Sequence, residues 1–327
     1  MMKNRFPRAL SAAALALAVA AVLSLCIGPV RLSPALALGA LSDKSSVAYR
    51  IIRFIRLPRA LGAVLCGGSL AVSGLLIQSV LHNPLGSPNV LSMNAGAALA
   101  VVTAGAPFPG SASASAPAAF LGAFASLLAV VTVGKKAGAS KHAIILAGVA
   151  MNAFLTAATD ALTVFIPDAL IARAAFRIGS LSGVQMSSIL PAAAMSFAAL
   201  ALVFALRDRI EILSLGDDAA VSLGMNVESA RVLVLLLSSV LCGSAVSVAG
   251  TVGFVGLIVP HSCRMMLGGN DMRKLLPLTA LFGAAVVLLC DTASRLGTHE
   301  IPVGILLSAI GGPYFFALLV RERKAGR

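Results

Sequence analysis

Four arginines, Arg50, Arg53, Arg56 and Arg59, recur at every third position immediately before an apolar run. That spacing keeps side chains near one face of a helix. Two readings stand side by side: a basic cluster snorkelling from a helix end toward the lipid interface, or a docking surface for an acidic partner outside the cell. Asp160 lies within another apolar run. An ionisable group at that depth is a functional candidate by default; the simpler alternative is an Asp near an outer helix end, solvated or paired with Arg173 or Arg177. The longest polar insert, Arg207 to Arg231, carries Asp217 and Asp218 ahead of a short Ala/Val/Leu stretch and Gly224 after it. Carboxylates at a helix start and glycine past its end predict a short helix over 217–223. Leu215, Val221 and Leu223 sit beside these charges, a mixture suited to docking in a groove on a partner.

Other chemistry is missing. No G-x-x-x-x-G-K-[ST] loop occurs: Gly134-Lys135-Lys136 lacks the upstream glycine and the hydroxyl. Neither H-E-x-x-H nor G-x-S-x-G is present. The sequence therefore reads as a non-enzyme, and any ATP driving it must be hydrolysed by another chain. His261 follows Pro260 and reads as structural rather than as a metal ligand. Cys26, Cys66, Cys242, Cys263 and Cys290 form no C-x-x-C pair, so buried free thiols are expected rather than a zinc site or a disulfide framework.

The elements that must position these residues are membrane helices. The 327-residue chain is 59% hydrophobic and 11% charged, with a mean hydropathy of +0.98, which excludes a soluble, disordered or disulfide-stapled protein. Apolar stretches at about 9–30, 60–81, 90–106, 117–134, 143–166, 190–206, 230–249, 252–267, 276–293 and 303–320 predict ten spans in one transmembrane domain over residues 1–327. Several are short or broken by Gly and Pro, which is tolerated where neighbours or a cavity satisfy the backbone. The first run could pass for a signal peptide with Ala35-Leu36-Ala37 as its cleavage site; its length favours an uncleaved first helix. The net charge of +13 reflects the positive-inside bias rather than nucleic-acid binding. Placing both termini inside puts most of the 25 lysines and arginines there. Residues 61–74 echo residues 237–250 at seven of fourteen positions. The two segments fall in spans that run oppositely, which hints at an inverted repeat.

Eight segments carry a more specific likeness: 56–78 (RLPRALGAVLCGGSLAVSGLLIQ), 82–97 (HNPLGSPNVLSMNAGA), 146–153, 179–183 (GSLSG), 213–227 (LSLGDDAAVSLGMNV), 250–261 (GTVGFVGLIVPH), 275–284 and 300–319. In this order they resemble permease subunits of the iron-siderophore, haem and cobalamin family of bacterial ABC importers, over nearly the whole chain from residue 50 onward. The chain departs from the family at Phe176-Arg177-Ile178-Gly179-Ser180, where a tryptophan often precedes the glycine-serine pair.

The resemblance implies an all-α, ten-helix type II importer fold with an inverted repeat, in a bacterial cytoplasmic membrane with both termini cytoplasmic. It implies a second permease subunit (identical or a paralogue), two ATP-binding subunits that hold the ATP and magnesium, and an external binding protein delivering a metal chelate. The permease itself then binds no cofactor and no metal. Ferric siderophore is the first expectation for cargo, with cobalamin or haem as alternatives. The residues that match the family's docking arginines are Arg56, Arg59 and Arg295. The coupling segment, within about 207–231, brings Leu215, Gly216, Asp217, Asp218 and Gly224 to the ATPase. Asn83 and Leu85, with the turn at Ser140, Lys141 and His142, resemble a cytoplasmic gate. Span five, carrying Asn152, Thr156 and Asp160, and span ten resemble the helices that line the path. Two rivals are an ion-coupled carrier using Asp160 and a membrane scaffold with no transport of its own.

Overall fold

Hydrocarbon offers no water to backbone N–H and C=O groups, so a chain this apolar must close its hydrogen bonds within helices. The computed structural model describes residues 5–30, 32–33, 39, 44–105, 112–138, 140–166, 174, 176–297 and 299–325, and among these no strand occurs. The helices in chain order are α1 (Arg5–Cys26), α2 (Val47–Ile51), α3 (Leu57–Leu81), α4 (Met93–Gly105), α5 (Ala112–Lys136), α6 (Lys141–Phe165) and α7 (Met186–Ala205). There follow α8 (Arg207–Ser214), α9 (Asp217–Ser222), α10 (Val227–Ala249), α11 (Val255–Leu267), α12 (Met272–Ala293) and α13 (Val303–Ala325). A π turn, Ile52–Arg56, runs α2 into α3 without a break. The Ala35-Leu36-Ala37 stretch and Arg173 lie outside the described residues.

Each of the ten expected apolar stretches becomes a helix, but they are not equal. Among the described residues, seven helices are long and apolar enough to cross a bilayer. The apolar parts of α4, α11 and α13 are shorter. At thirteen residues, α4 and α11 extend about 20 Å against about 30 Å of hydrocarbon. The cause is local. Pro84 and Pro88 delay the start of α4 to Met93, and the non-helical stretch 250–253 delays α11 to Val255. Non-helical backbone at membrane depth survives only where protein or a cavity satisfies it, so these short helices mark the interior.

The central post is α3, with 89% of its apolar window buried, against 17% for α1. The echoed segments of α3 and α10 pack on each other in opposite directions. Cys66 Sγ donates to the Ala245 carbonyl at 3.3 Å, and the Ser73 and Ser238 hydroxyls meet at 2.8 Å. Both pairings place the crossing near Gly67-Gly68 of α3 and Gly243-Ser244 of α10, which are equivalent positions of the echo. The two echoed segments are therefore antiparallel and meet at equivalent positions, the arrangement an inverted repeat requires. Each such interhelical hydrogen bond is worth about 0.6 kcal/mol in a membrane.

Close approach does the rest. A Cβ on Gly74 would sit 1.8 Å from the Gly256 carbonyl oxygen, so α3 and α11 touch backbone to backbone. Gln78, one turn further along α3, donates from Nε2 to that same carbonyl at 3.1 Å, and its Oε1 accepts from Arg264. All five cysteines are free, with Cys66, Cys242 and Cys263 buried.

Candidate functional site

A cavity of about 1080 Å³ lies where the short helices meet. Asn94 of α4, Gly256 of α11 and Ser308 of α13 line it, together with Asn152, Thr156 and Thr159 of α6. The volume is at the upper end of the roughly 300–1,000 Å³ of small-molecule sites. Steps of four and three residues keep 152, 156 and 159 on one face of α6. Asp160 is turned about 100° from Thr159 and is not among the lining residues; it lies exposed on another face. Of the residues expected along the path, Asn152 and Thr156 line the cavity and Asp160 does not, while Thr159, which the reading of the sequence overlooked, does. The signal for Thr159 was the seven-residue step from Asn152.

One wall is knitted from three separate segments. Thr251 N–H donates to Phe176 O at 2.9 Å, Ser180 N–H to Ala249 O at 2.8 Å, and Gly304 N–H to Gly179 O at 3.1 Å. Gly179 and Gly250 both adopt φ of +68°, and a Cβ on either would collide with facing backbone, at Thr251 and Phe176 respectively. This node holds Arg177, Thr251 and Gly304 at the cavity wall.

The polar insert forms one end of the molecule. The short helix expected over 217–223 appears as α9, with Ala220 buried beneath it. Gly216 (φ +120°) and Gly224 (φ +77°) make its two turns. Leu215, Val221 and Leu223 project outward, each more than 60% exposed. Asp217 instead turns inward, its carboxylate 3.1 Å from Lys141 Nζ and 2.8 Å from an Arg231 guanidinium nitrogen. Burial alone would raise the Asp217 pKa, but the hydrogen bonds from Arg231 and Lys141 outweigh it and hold the carboxyl below its usual value. Asp218 stays exposed.

The residues expected as a gate gather at this same end. Ser140 caps α6, accepting from Ala143 N–H at 3.1 Å. Asn83 closes its turn by accepting from Leu85 N–H at 2.9 Å, while Leu85 and His142 are exposed. His82 ends α3 in the left-handed region (φ 50°). Desolvation, then the neighbouring Lys141, hold its imidazole below the usual value. A smaller cavity of about 490 Å³ joins this turn to α11, and His261 and Arg264 line it. Among the described residues no three His, Cys, Asp or Glu side chains converge as a metal site.

At the opposite end the arginines do not stand where an exposed docking surface needs them. Arg56, Arg59 and Arg295 are 3%, 6% and 5% exposed. Arg59 grips Asp291 through Nε at 3.0 and 3.1 Å and Glu300 through a terminal nitrogen at 2.9 Å. Arg295 reaches the same Asp291 at 3.0 Å and the Ser24 hydroxyl at 2.8 Å. Arg56 donates to the Leu25 and Val30 carbonyls. The three knit the end of α1 to α3 and α12, because a buried guanidinium must find acceptors. The exposed members of the run are Arg50 and Arg53. Sequence reasoning missed Asp291 and Glu300; the four-residue step from Asp291 to Arg295 was a local signal for one pair, whereas the pairing of Asp291 with Arg59, 232 residues away, leaves no local pattern.

A helical bundle built on short helices around a cavity of mixed polar and apolar lining, with an ordered insert at one end, is the architecture of a membrane permease. The comparisons agree. The model of the FecCD transport family matches residues 16–321. The chain is 40% identical over 284 residues to the hemin transport system permease protein HmuU of Yersinia pestis, covering 83% of each chain. It is 36% identical over 278 residues to the Fe(3+)-citrate import system permease protein YfmD of Bacillus subtilis (strain 168), covering 84% of this chain and 82% of that one. A solved inward-facing conformation of a putative metal-chelate type ABC transporter superposes with a TM-score of 0.86 at 30% identity, covering 96% of this chain and 99% of that one. The chain belongs to the FecCD transport family. It is an ABC transporter permease, a non-enzymatic transmembrane subunit that works with a partner permease and ATPase subunits.

Proposed function

We propose that this permease imports a ferric chelate, handed over by an external binding protein, through alternating access driven by ATP. The observation that carries this reading is the Lys141–Asp217 ion pair. It joins the insert to the first residue of α6, the helix whose Asn152, Thr156 and Thr159 face the cavity. A motor gripping the exposed Leu215, Asp218, Val221 and Leu223, around the turns at Gly216 and Gly224, pulls through Asp217 on α6. That moves the cavity wall and the gate residues Asn83, Leu85, Ser140, Lys141 and His142 together. The insert and both termini then lie on the cytoplasmic side of a bacterial inner membrane.

The arginine end receives the binding protein. Arg50 and Arg53 are its exposed cations. Arg59 becomes available when a partner carboxylate replaces Glu300, whose side chain is 35% exposed, while Arg56 and Arg295 hold the platform. Arg–carboxylate pairs give register as well as attraction. Haem is the second cargo reading, favoured by the 40% identity to a hemin permease. The test is uptake of radiolabelled ferric citrate and hemin into vesicles holding the complete complex and its binding protein. ATP-dependent uptake that disappears with Asp217→Lys plus Asp218→Lys supports the reading; uptake indifferent to both ATP and these changes refutes it.

A further inference from the structure

We infer that the large cavity selects cargo bearing negative charge, and that Arg177 is the residue that reads it. This rests on the importer reading and adds the chemical class of its cargo. Arg177 is the only ionisable side chain among the described residues lining the cavity. No carboxylate of the described residues lies within ion-pair distance of it, in contrast to Arg59, Arg231 and Arg295. Its backbone is fixed: the Arg177 carbonyl accepts from Thr251 Oγ1 at 2.8 Å, and its neighbours belong to the knitted node. The cation is therefore mounted on a rigid wall with its head exposed.

The neutral lining adds no charge of its own, so the attraction rests on Arg177. Thr156 Oγ1 donates to Asn152 O, Thr159 Oγ1 to Leu155 O, Ser308 Oγ to Gly304 O and Thr251 Oγ1 to Arg177 O. Those hydroxyl protons are already committed to backbone. Asn94 Oδ1 accepts from Cys242 Sγ, which leaves its NH₂ as the unengaged end. Among the described side chains lining the cavity, the donors left for a ligand are the Ser87 hydroxyl, the asparagine amides and the Arg177 guanidinium. Carboxylate or catecholate oxygens match that set; a cationic ligand finds no counter-charge there. Within low-dielectric walls one fixed charge focuses the field on the cavity.

A cysteine reporter reads that field without any cargo. Ser308→Cys is introduced into the full complex, and its modification by an anionic and a cationic methanethiosulfonate reagent is timed against the same complex without the reporter. Arg177→Gln is expected to lower the anionic-to-cationic rate ratio about ten-fold, within the range of electrostatic focusing, and Arg177→Lys to preserve it. Uptake of hemin and ferric citrate falls alongside in Arg177→Gln and returns in Arg177→Lys. An unchanged reagent ratio, or anionic chelate uptake at the parental rate in Arg177→Gln, overturns the inference. If the parental complex moves neither chelate while the ratio still responds to residue 177, the importer reading fails and the charge assignment stands.

Discussion

Lys141, the first residue of α6, and Asp217, the first residue of α9, stand 3.1 Å apart across a gap of 76 positions in the chain. One belongs to the turn expected as a gate and the other to the insert expected to meet the motor. Arg231 at the start of α10 shares the same carboxylate. The contact is partly exposed, with 42% of the Asp217 side chain accessible, so it is worth at most about 1 kcal/mol to stability. Its effect lies in transmission. Lys141→Asp should leave melting temperature nearly unchanged and the ATPase subunits bound, yet lower chelate uptake per ATP hydrolysed. Combining it with Asp217→Lys should recover part of the loss. Normal coupling in the single variants would remove this contact from the mechanism.

The other end of the molecule responds in the opposite way. Asp291 is fully buried and answers both Arg59 and Arg295. Asp291→Asn leaves two buried guanidinium groups short of charge, and breaking a buried pair costs about 3–5 kcal/mol. Glu300→Gln, at a half-exposed position, should cost less than about 1 kcal/mol. Thermal unfolding of the purified protein checks the contrast, and equal effects would mean that the network is not what ties α1, α3 and α12 together.

Gly74→Leu should prevent folding. The added side chain would occupy the space of the Gly256 backbone, 1.8 Å from its carbonyl oxygen even at Cβ. Backbone cannot yield as a side chain does, so overpacking here exceeds the usual 1–3 kcal/mol or so. Yield of monodisperse protein after extraction is the readout; a normal yield would show that α3 and α11 do not cross in backbone contact.

His82 sets a pH dependence. Its folded pKa lies below the ordinary 6.5, so its contribution to stability is present above 6.5 and is lost as pH falls through the lower, folded value. Protonation would place a third cation beside Lys141 and Arg231, both of which lower its pKa. The wild-type melting temperature should therefore drop more between pH 7 and pH 5 than that of His82→Gln. Parallel curves would contradict this. Asp217 titrates below its ordinary value of 3.8, so it stays charged throughout that range and does not confuse the comparison.

What could be read from the sequence was local or periodic. Ten apolar runs, the carboxylates and glycine around α9, and the echo between 61–74 and 237–250 all leave marks on neighbouring residues, and each corresponds to an observed element. The face of α6 was half legible. Asn152 and Thr156 were found, but a four-residue step carried on to Asp160 drifts off the face that a seven-residue step reaches at Thr159. Burial of Arg56, Arg59 and Arg295 was not legible, because acceptors they need lie far off in the chain: Asp291 and Glu300 for Arg59, and backbone carbonyls at and just past the end of α1 for Arg56 and Arg295. Charge in a row says where a side chain starts, and only the packed fold says what answers it.

The most direct test of the account is ferric chelate uptake by vesicles that contain this chain and its partner permease, compared with and without the ATPase subunits and internal ATP. The account predicts uptake only when the ATPase is seated on the insert and nucleotide is supplied. Sustained, concentrative uptake by the permeases alone would contradict it.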